Sequence, residues 1–133
     1  MKYLLDTHIF LWWVLDSPKL NNYARKLMID DDADLFLSAA SAWEMAIKAQ
    51  IGKLTLPESV IEFTRRQLML NEIRSLDITT EHALTTFELP VHHKDPFDRI
   101  LIAQAIVENM VIITNDAFIK LYEVRVAGDP SSI

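Results

Sequence analysis

The chain has 133 residues, half of them apolar and about a quarter charged, with a formal net charge of −6. A chain of this length buries roughly two-thirds of its unfolded surface around one core, which excludes disorder and small staple-dependent folds. Cysteine is absent and only Gly52 and Gly128 are glycine, which excludes disulfides, thiolate metal sites, cysteine nucleophiles and glycine-rich phosphate loops.

In chain order, residues 2–5 read as a short strand running into Asp6. Residues 7–15 read as a helix, stopped by Asp16-Ser17-Pro18. Residues 21–29 form a helix with Ala24, Leu27 and Met28 on one face, closed by a solvated run, Asp30-Asp31-Asp32. Residues 35–37 are a second, continuously apolar strand. Residues 38–51 are an Ala-rich helix that Gly52 terminates. Pro57 opens the next helix, over 58–70. Residues 73–78 are strand-like, and Thr79 or Thr80 caps a short helix to Glu88. A loop over 89–95 leads to Pro96, which opens a helix through Asn109. Residues 111–114 are the clearest strand, followed by a short helix over 117–122 and an edge strand over 124–126. No linker or repeat interrupts the series, so residues 1–133 read as a single domain. Apolar strands alternating with helices predict an α/β fold with a mostly parallel sheet covered on both faces.

The acidic surplus argues against an evident nucleic-acid binder and against docking on an anionic membrane. The longest apolar run is seven residues, 9–15, against the ~20 that a membrane span needs. Lys2 and that run resemble a secretory signal faintly. Asp6 and His8 interrupt its start and no small-x-small cleavage site follows, so the chain is read as cytoplasmic.

In parallel α/β sheets the ligand site lies beyond the carboxyl ends of the strands. Asp6 and Asp116 each follow a strand. Glu44 lies one or two turns into the helix after the second strand, and Asp98 lies in the first turn from Pro96, just after Asp95. Read singly, each acid also serves as a cap: Asp6 and Asp116 as N-caps, and Ser41 to Glu44 and Asp95 to Asp98 as capping boxes. Capping alone does not favour acids over Ser, Thr or Asn, nor does it gather caps at one edge of a sheet. Clustered carboxylates repel, and a cation resolves the conflict. Oxygen donors without cysteine suit Mg²⁺ or Mn²⁺, whose usual work at carboxylates is on phosphate esters. His92-His93 read as solvated or as touching substrate, and His8 and His82 as structural. No histidine pair has zinc-protease spacing and no serine sits in a nucleophile elbow. Trp12, Trp13 and Trp43 follow apolar helical stripes, as core or oligomer surface.

The order Leu4-Leu5-Asp6-Thr7, Trp43-Glu44 on an Ala-rich helix, Asp98 before Ala103-Gln104-Ala105, and Thr114-Asn115-Asp116 resembles the PIN-domain ribonucleases. The match is nearest to VapC-type toxins of type II toxin–antitoxin modules and spans about residues 2–126. The resemblance implies a three-layer α/β/α sandwich and metal-dependent cleavage of RNA. It places the family's four acids on Asp6, Glu44, Asp98 and Asp116, as catalytic groups and ligands of one or two Mg²⁺ or Mn²⁺ ions. It places the hydroxyl beside the site on Thr7 or Thr114. Asp95 is an additional acid, and His8 stands where many members have a small polar residue. Lys48, one turn past Glu44, and Arg99, beside Asp98, are candidates for RNA phosphates. The resemblance further implies an RNA substrate and a cognate small antitoxin, and a homodimer is expected; the clustered anionic site invites an Arg or Lys inserted by the partner. Phe10, Trp12 and Trp13, with the helices from Asn21 to Leu70, are candidates for the partner groove or the dimer face.

Two rivals remain in the sequence. One is a PIN-like scaffold without catalysis that binds protein or RNA, against which the full acid set speaks. The other is a phosphoryl-accepting receiver-like domain, which lacks the acidic pair after the first strand and the late lysine.

Overall fold

In a computed structural model of the chain, residues 1–92, 94–116, 119 and 126–127 are described. Among the described residues five strands are present: β1 (Lys2–Leu5), β2 (Asp34–Ser38), β3 (Ile73–Leu76), β4 (Val111–Ile113) and β5 (Val126–Ala127). The described α-helices between them are α1 (Thr7–Val14), α2 (Asn22–Ile29), α3 (Ala39–Gln50), α4 (Val60–Leu70), α5 (Thr80–Thr85) and α6 (Pro96–Glu108). A 3₁₀ turn over Thr86–Glu88 extends α5. The sheet order is β3-β2-β1-β4-β5, and every pairing is parallel.

The layers follow from the period of two along each strand. Leu4, Phe36 and Ile112 point to one face, where they pack with Leu101, Ile102, Ala105 and Met110 on and beside α6. Leu5, Leu35, Leu37 and Ile113 point to the other, with Ile9 and Phe10 of α1, Ala24 and Met28 of α2, and Met45 of α3. The expected α/β/α sandwich is thus built by alternation in strands only two to five residues long. Among the described residues, no helix is long and apolar enough to cross a membrane.

Element ends differ from expectation in specific places. Helix α4 starts at Val60 behind the N-cap Ser59, whose hydroxyl accepts from Glu62 N–H, so Pro57 lies outside the helix. Ser41 is no N-cap. Helix α3 is capped by Ser38, and Ser41 is buried in its interior. Of the short helix expected over 117–122 only residue 119 is described, and residues 124–125 of the last strand fall outside the described residues, as does His93.

Helix C-termini show how a glycine-poor chain closes its turns. Gly52, at φ +77°, ends α3 with Gly52 N–H on Ala49 O and Lys53 N–H on Lys48 O, the Schellman pattern. The same pattern closes α1 on Asp16 and α6 on Asn109, both left-handed. Asp and Asn tolerate that conformation because their short polar side chains bond locally. Glu72, left-handed after α4, has no such compensation. Glu72→Gly should therefore raise stability by about 0.5–1 kcal/mol, the relief of left-handed strain less glycine's chain entropy. Urea unfolding of the two proteins measures this, and a loss of stability would contradict it.

Two polar clamps tie α5 and the turn after it to α6. His82 is fully buried at the third position of α5. Its Nδ1 accepts the N–H of Thr79, and its Nε2 lies 2.7 Å from Glu108 of α6. This is the structural role its sequence position suggested. Arg99 of α6 donates to the carbonyls of Thr86, Leu89 and Pro90 at 2.8, 3.4 and 3.1 Å, gathering the turn that ends the preceding segment.

Candidate active site

The chain runs outward from β1 to β2 and β3, then crosses back to lay β4 on the other side of β1. The gap between β1 and β4 is therefore the topological switch point, where α/β sheets open a crevice. The register levels the strand ends: Leu5 pairs Ile113, and Leu4 pairs Phe36. Asp6 and Thr114 consequently leave the sheet side by side, and Asp6 N–H donates to Ile113 O at 3.0 Å.

Asp6 is buried and is the N-cap of α1, its Oδ1 accepting His8 N–H at 3.3 Å. Its Oδ2 accepts the Thr114 hydroxyl at 2.5 Å, and Thr114 Oγ1 accepts the N–H of Asp116 at 2.9 Å. Thr7, buried behind this edge, donates to Ser41 Oγ at 2.9 Å and so ties α1 to α3. Glu44 follows Ser41 by one turn on the same face of the helix. Asp95 caps α6 by accepting Phe97 N–H at 2.9 Å, with Pro96 in the first turn and Asp98 close behind.

These segments meet at one pocket of about 290 Å³. Its wall carries all five acids singled out in the sequence, Asp6, Glu44, Asp95, Asp98 and Asp116, together with His8 and Lys48. Burial pushes the Asp6 carboxyl above its ordinary value. The Thr114 hydroxyl and His8 pull against that rise, and the Asp116 charge adds to it. Lys48 is held above its ordinary value by its bond to Glu44, despite desolvation, with the charges of Asp95 and Asp98 adding to the effect.

Other candidates fall elsewhere. The hydroxyl at the site is that of Thr114, whereas Thr7 is a buried tie. Arg99 does not line the pocket, and its guanidinium binds backbone carbonyls instead. His92 is exposed and outside the wall. Phe10 is wholly buried, which removes it from any groove or dimer face. Trp12 and Trp13 are half-buried against the core. Trp43 is 62% exposed, so it is surface rather than core, with Phe97 edge-on at 5.3 Å. His8, which the sequence reading took as structural, has a place at the site instead. It is exposed on the pocket wall, its ring 5.8 Å from that of Trp12. Its place in the first turn after Asp6 was the available signal.

A doubly covered parallel sheet with carboxylates converging at its switch point defines the class of acid-site α/β domains to which the PIN domains belong. The PIN-domain family model matches residues 3–124. Ribonuclease VapC22 of Mycobacterium tuberculosis is 30% identical over 114 residues, 85% of each chain. Among solved structures, VapBC2 from Rickettsia felis, bound to a promoter DNA fragment, gives a TM-score of 0.70 at 18% identity. The match covers 96% of this chain and 98% of that one. VapBC-1 from nontypeable Haemophilus influenzae gives 0.63 at 20% identity, over 96% and 97%. A toxin–antitoxin complex from Klebsiella pneumoniae gives 0.54 at 19% identity, over 86% of each chain. At these identities the structural likeness is one of fold. The chain belongs to the PIN-domain family, among its VapC-type ribonucleases.

Enzymes of this family work with a divalent metal ion. The donor set suits a hard one, since the wall offers carboxylate oxygens and one imidazole. Among the described residues no three acids or histidines close into a complete ligand set. Carboxylate oxygens of this kind suit an ion that keeps several waters and takes only one or two carboxylates directly.

The raised value of Asp6 makes a stability prediction. Relative to an unfolded value of 3.8, folding disfavours the charged form. The favourable contribution is complete below 3.8 and is lost as pH rises through the folded value. In EDTA, Asp6→Asn should therefore gain stability on wild type between pH 4 and pH 7. Melting curves across that range test it, and a difference independent of pH would contradict it.

Proposed function

We propose that the chain is a metal-dependent endoribonuclease, the toxin of a type II toxin–antitoxin pair, which hydrolyses RNA phosphodiester bonds at the acid pocket. The observation that carries the reading is the convergence of five carboxylates from four separate segments on one pocket of a PIN domain. Asp6, Glu44, Asp98 and Asp116 hold the ion, Mg²⁺ or Mn²⁺, directly or through water. When bound, such an ion lowers the pKa of a coordinated water and offsets charge developing at phosphorus. Thr114 orients Asp6 through the hydroxyl it donates. Asp95 adds negative field at the start of α6, and Lys48 offers a cation to a substrate phosphate. We take residues 1–133 to be one domain acting in the cytoplasm.

The solved neighbours are toxin–antitoxin complexes, and a partner segment has a place to lie here. A groove of about 490 Å³ opens between α3 and α4, lined by Ala46, Ala49, Leu54, Leu56 and Val60 among others. A second hollow beside it is bounded by Ala42, Ile61, Thr64 and Arg65. This suits the apolar face of an antitoxin helix, from which an Arg or Lys would reach the acids. Leu84, Phe87 and Val91, at 69%, 92% and 76% exposure, provide apolar surface for a second copy in a homodimer.

Purified protein should cut single-stranded RNA with Mg²⁺ or Mn²⁺ and stop in EDTA, and cleavage surviving thorough chelation would remove the metal mechanism. Asp6→Asn, Asp98→Asn and Glu44→Gln should each lower kcat by about 100-fold or more, with Asp95→Asn losing less. Because Asn caps a helix as well as Asp, activity retained in Asp6→Asn would reduce that residue to a cap. Induction of the chain alone should arrest growth, and co-expression of a small adjacent gene should relieve it with both proteins copurifying.

A further inference from the structure

We propose that the Lys48 ammonium is a built-in counter-ion of the acid pocket, competing with the divalent ion for Glu44 and reaching a substrate phosphate once displaced. The inference rests on the reading of this pocket as a metal-dependent nuclease site.

Lys48 Nζ lies 2.8 Å from Glu44 Oε2, one helical turn away. On an open helix surface such a pair is ordinary, worth about 0.3–0.5 kcal/mol and screened by salt. This pair is placed differently. The Glu44 side chain is 11% exposed and Lys48 is 39% exposed, so the carboxylate is in the pocket wall and the lysine stem bridges from it to water. Both residues line the pocket that holds Asp6, Asp95, Asp98 and Asp116. The ammonium therefore sits in a field of five carboxylates, bonded to one of those the site needs for its ion.

A divalent ion that draws on Glu44 must break this bond and bring two positive charges towards a third. Both effects weaken metal binding. An ammonium is a compact charge on a flexible four-carbon stem, so once displaced it stays within reach of the pocket mouth. The anion arriving there is the RNA backbone. Metal uptake thus exposes a phosphate-binding cation, and substrate in turn draws Lys48 away from Glu44 and favours the metal. By linkage the two effects are equal in size.

The test is Mn²⁺ binding followed by calorimetry at constant ionic strength, without RNA. Lys48→Met keeps helix propensity and should bind Mn²⁺ about five- to tenfold more tightly than wild type, equivalent to breaking one partly buried ion pair. Lys48→Arg, which retains the charge, should stay near wild type. In a Glu44→Gln background, Lys48→Met should change affinity little. A second readout uses a non-cleavable 2′-O-methyl RNA. Lys48→Met should bind it more weakly, with the salt slope shallower by about 0.7. Mn²⁺ affinity unchanged or weakened in Lys48→Met, or the same gain in the Glu44→Gln background, would overturn the proposal and leave the nuclease reading intact. Wild-type protein that takes up no Mn²⁺ would overturn both.

Discussion

The hydrogen bond from the Thr114 hydroxyl to Asp6 joins residues 108 apart in sequence at the point where the sheet changes direction. A buried carboxylate is costly unless bonded, and Asp6 is met by this hydroxyl on one oxygen and by the His8 N–H on the other. The same Thr114 oxygen accepts the Asp116 N–H, so the bond that satisfies the first acid also sets the path of the chain carrying the last one. Its register is fixed from below by the pairing of Leu5 with Ile113, itself fixed by which face of each strand is apolar.

Capping a helix and lining the acid pocket are two uses of the same side chains. Asp6 caps α1 and lines the pocket, and Asp95 caps α6 and lines it too. Asp98 lies at the positive end of the α6 dipole, where a negative charge is favoured. Three of the five acids thus draw support from helix N-termini, which offsets part of their mutual repulsion. Glu44 has no such support in mid-helix, and its carboxylate is paired with Lys48.

Much of this was legible in the sequence, for physical reasons. The strands could be placed because each is short and bounded by turn chemistry, and the acids could be placed because Asp6 and Asp116 follow strands while Glu44, Asp95 and Asp98 lie at or within helices that rise from the same edge. What was not legible depends on tertiary context. Ser41 fits a capping box by spacing, but Ser38, three residues earlier, ends the extended strand and takes the cap. Arg99 beside Asp98 suggests phosphate contact, yet successive residues on a helix point about 100° apart, and it faces the carbonyls of residues 86, 89 and 90. The aromatics of α1 share one stretch of sequence, and only packing shows that Phe10 is core while His8 opens on the pocket. Pro57 is compatible with a helix start, but the hydroxyl of Ser59 provides a better one two residues later.

The strand order has a bearing on how the protein is made. Strands β1, β2 and β3 can associate as soon as the first 76 residues are available, since each pairs with the next in sequence. Strand β4 breaks that succession by pairing with β1, across more than 100 residues, and such long-range parallel pairing is slow because the loop must close before contacts reward it. Until β4 docks, Asp6 lacks its hydroxyl partner and Asp116 is absent from the pocket. A chain emerging from a ribosome therefore carries three of the four proposed ligand acids among the nascent RNAs of its own cell without a completed site. The acid pocket is assembled late and in one step, when β4 takes its place beside β1.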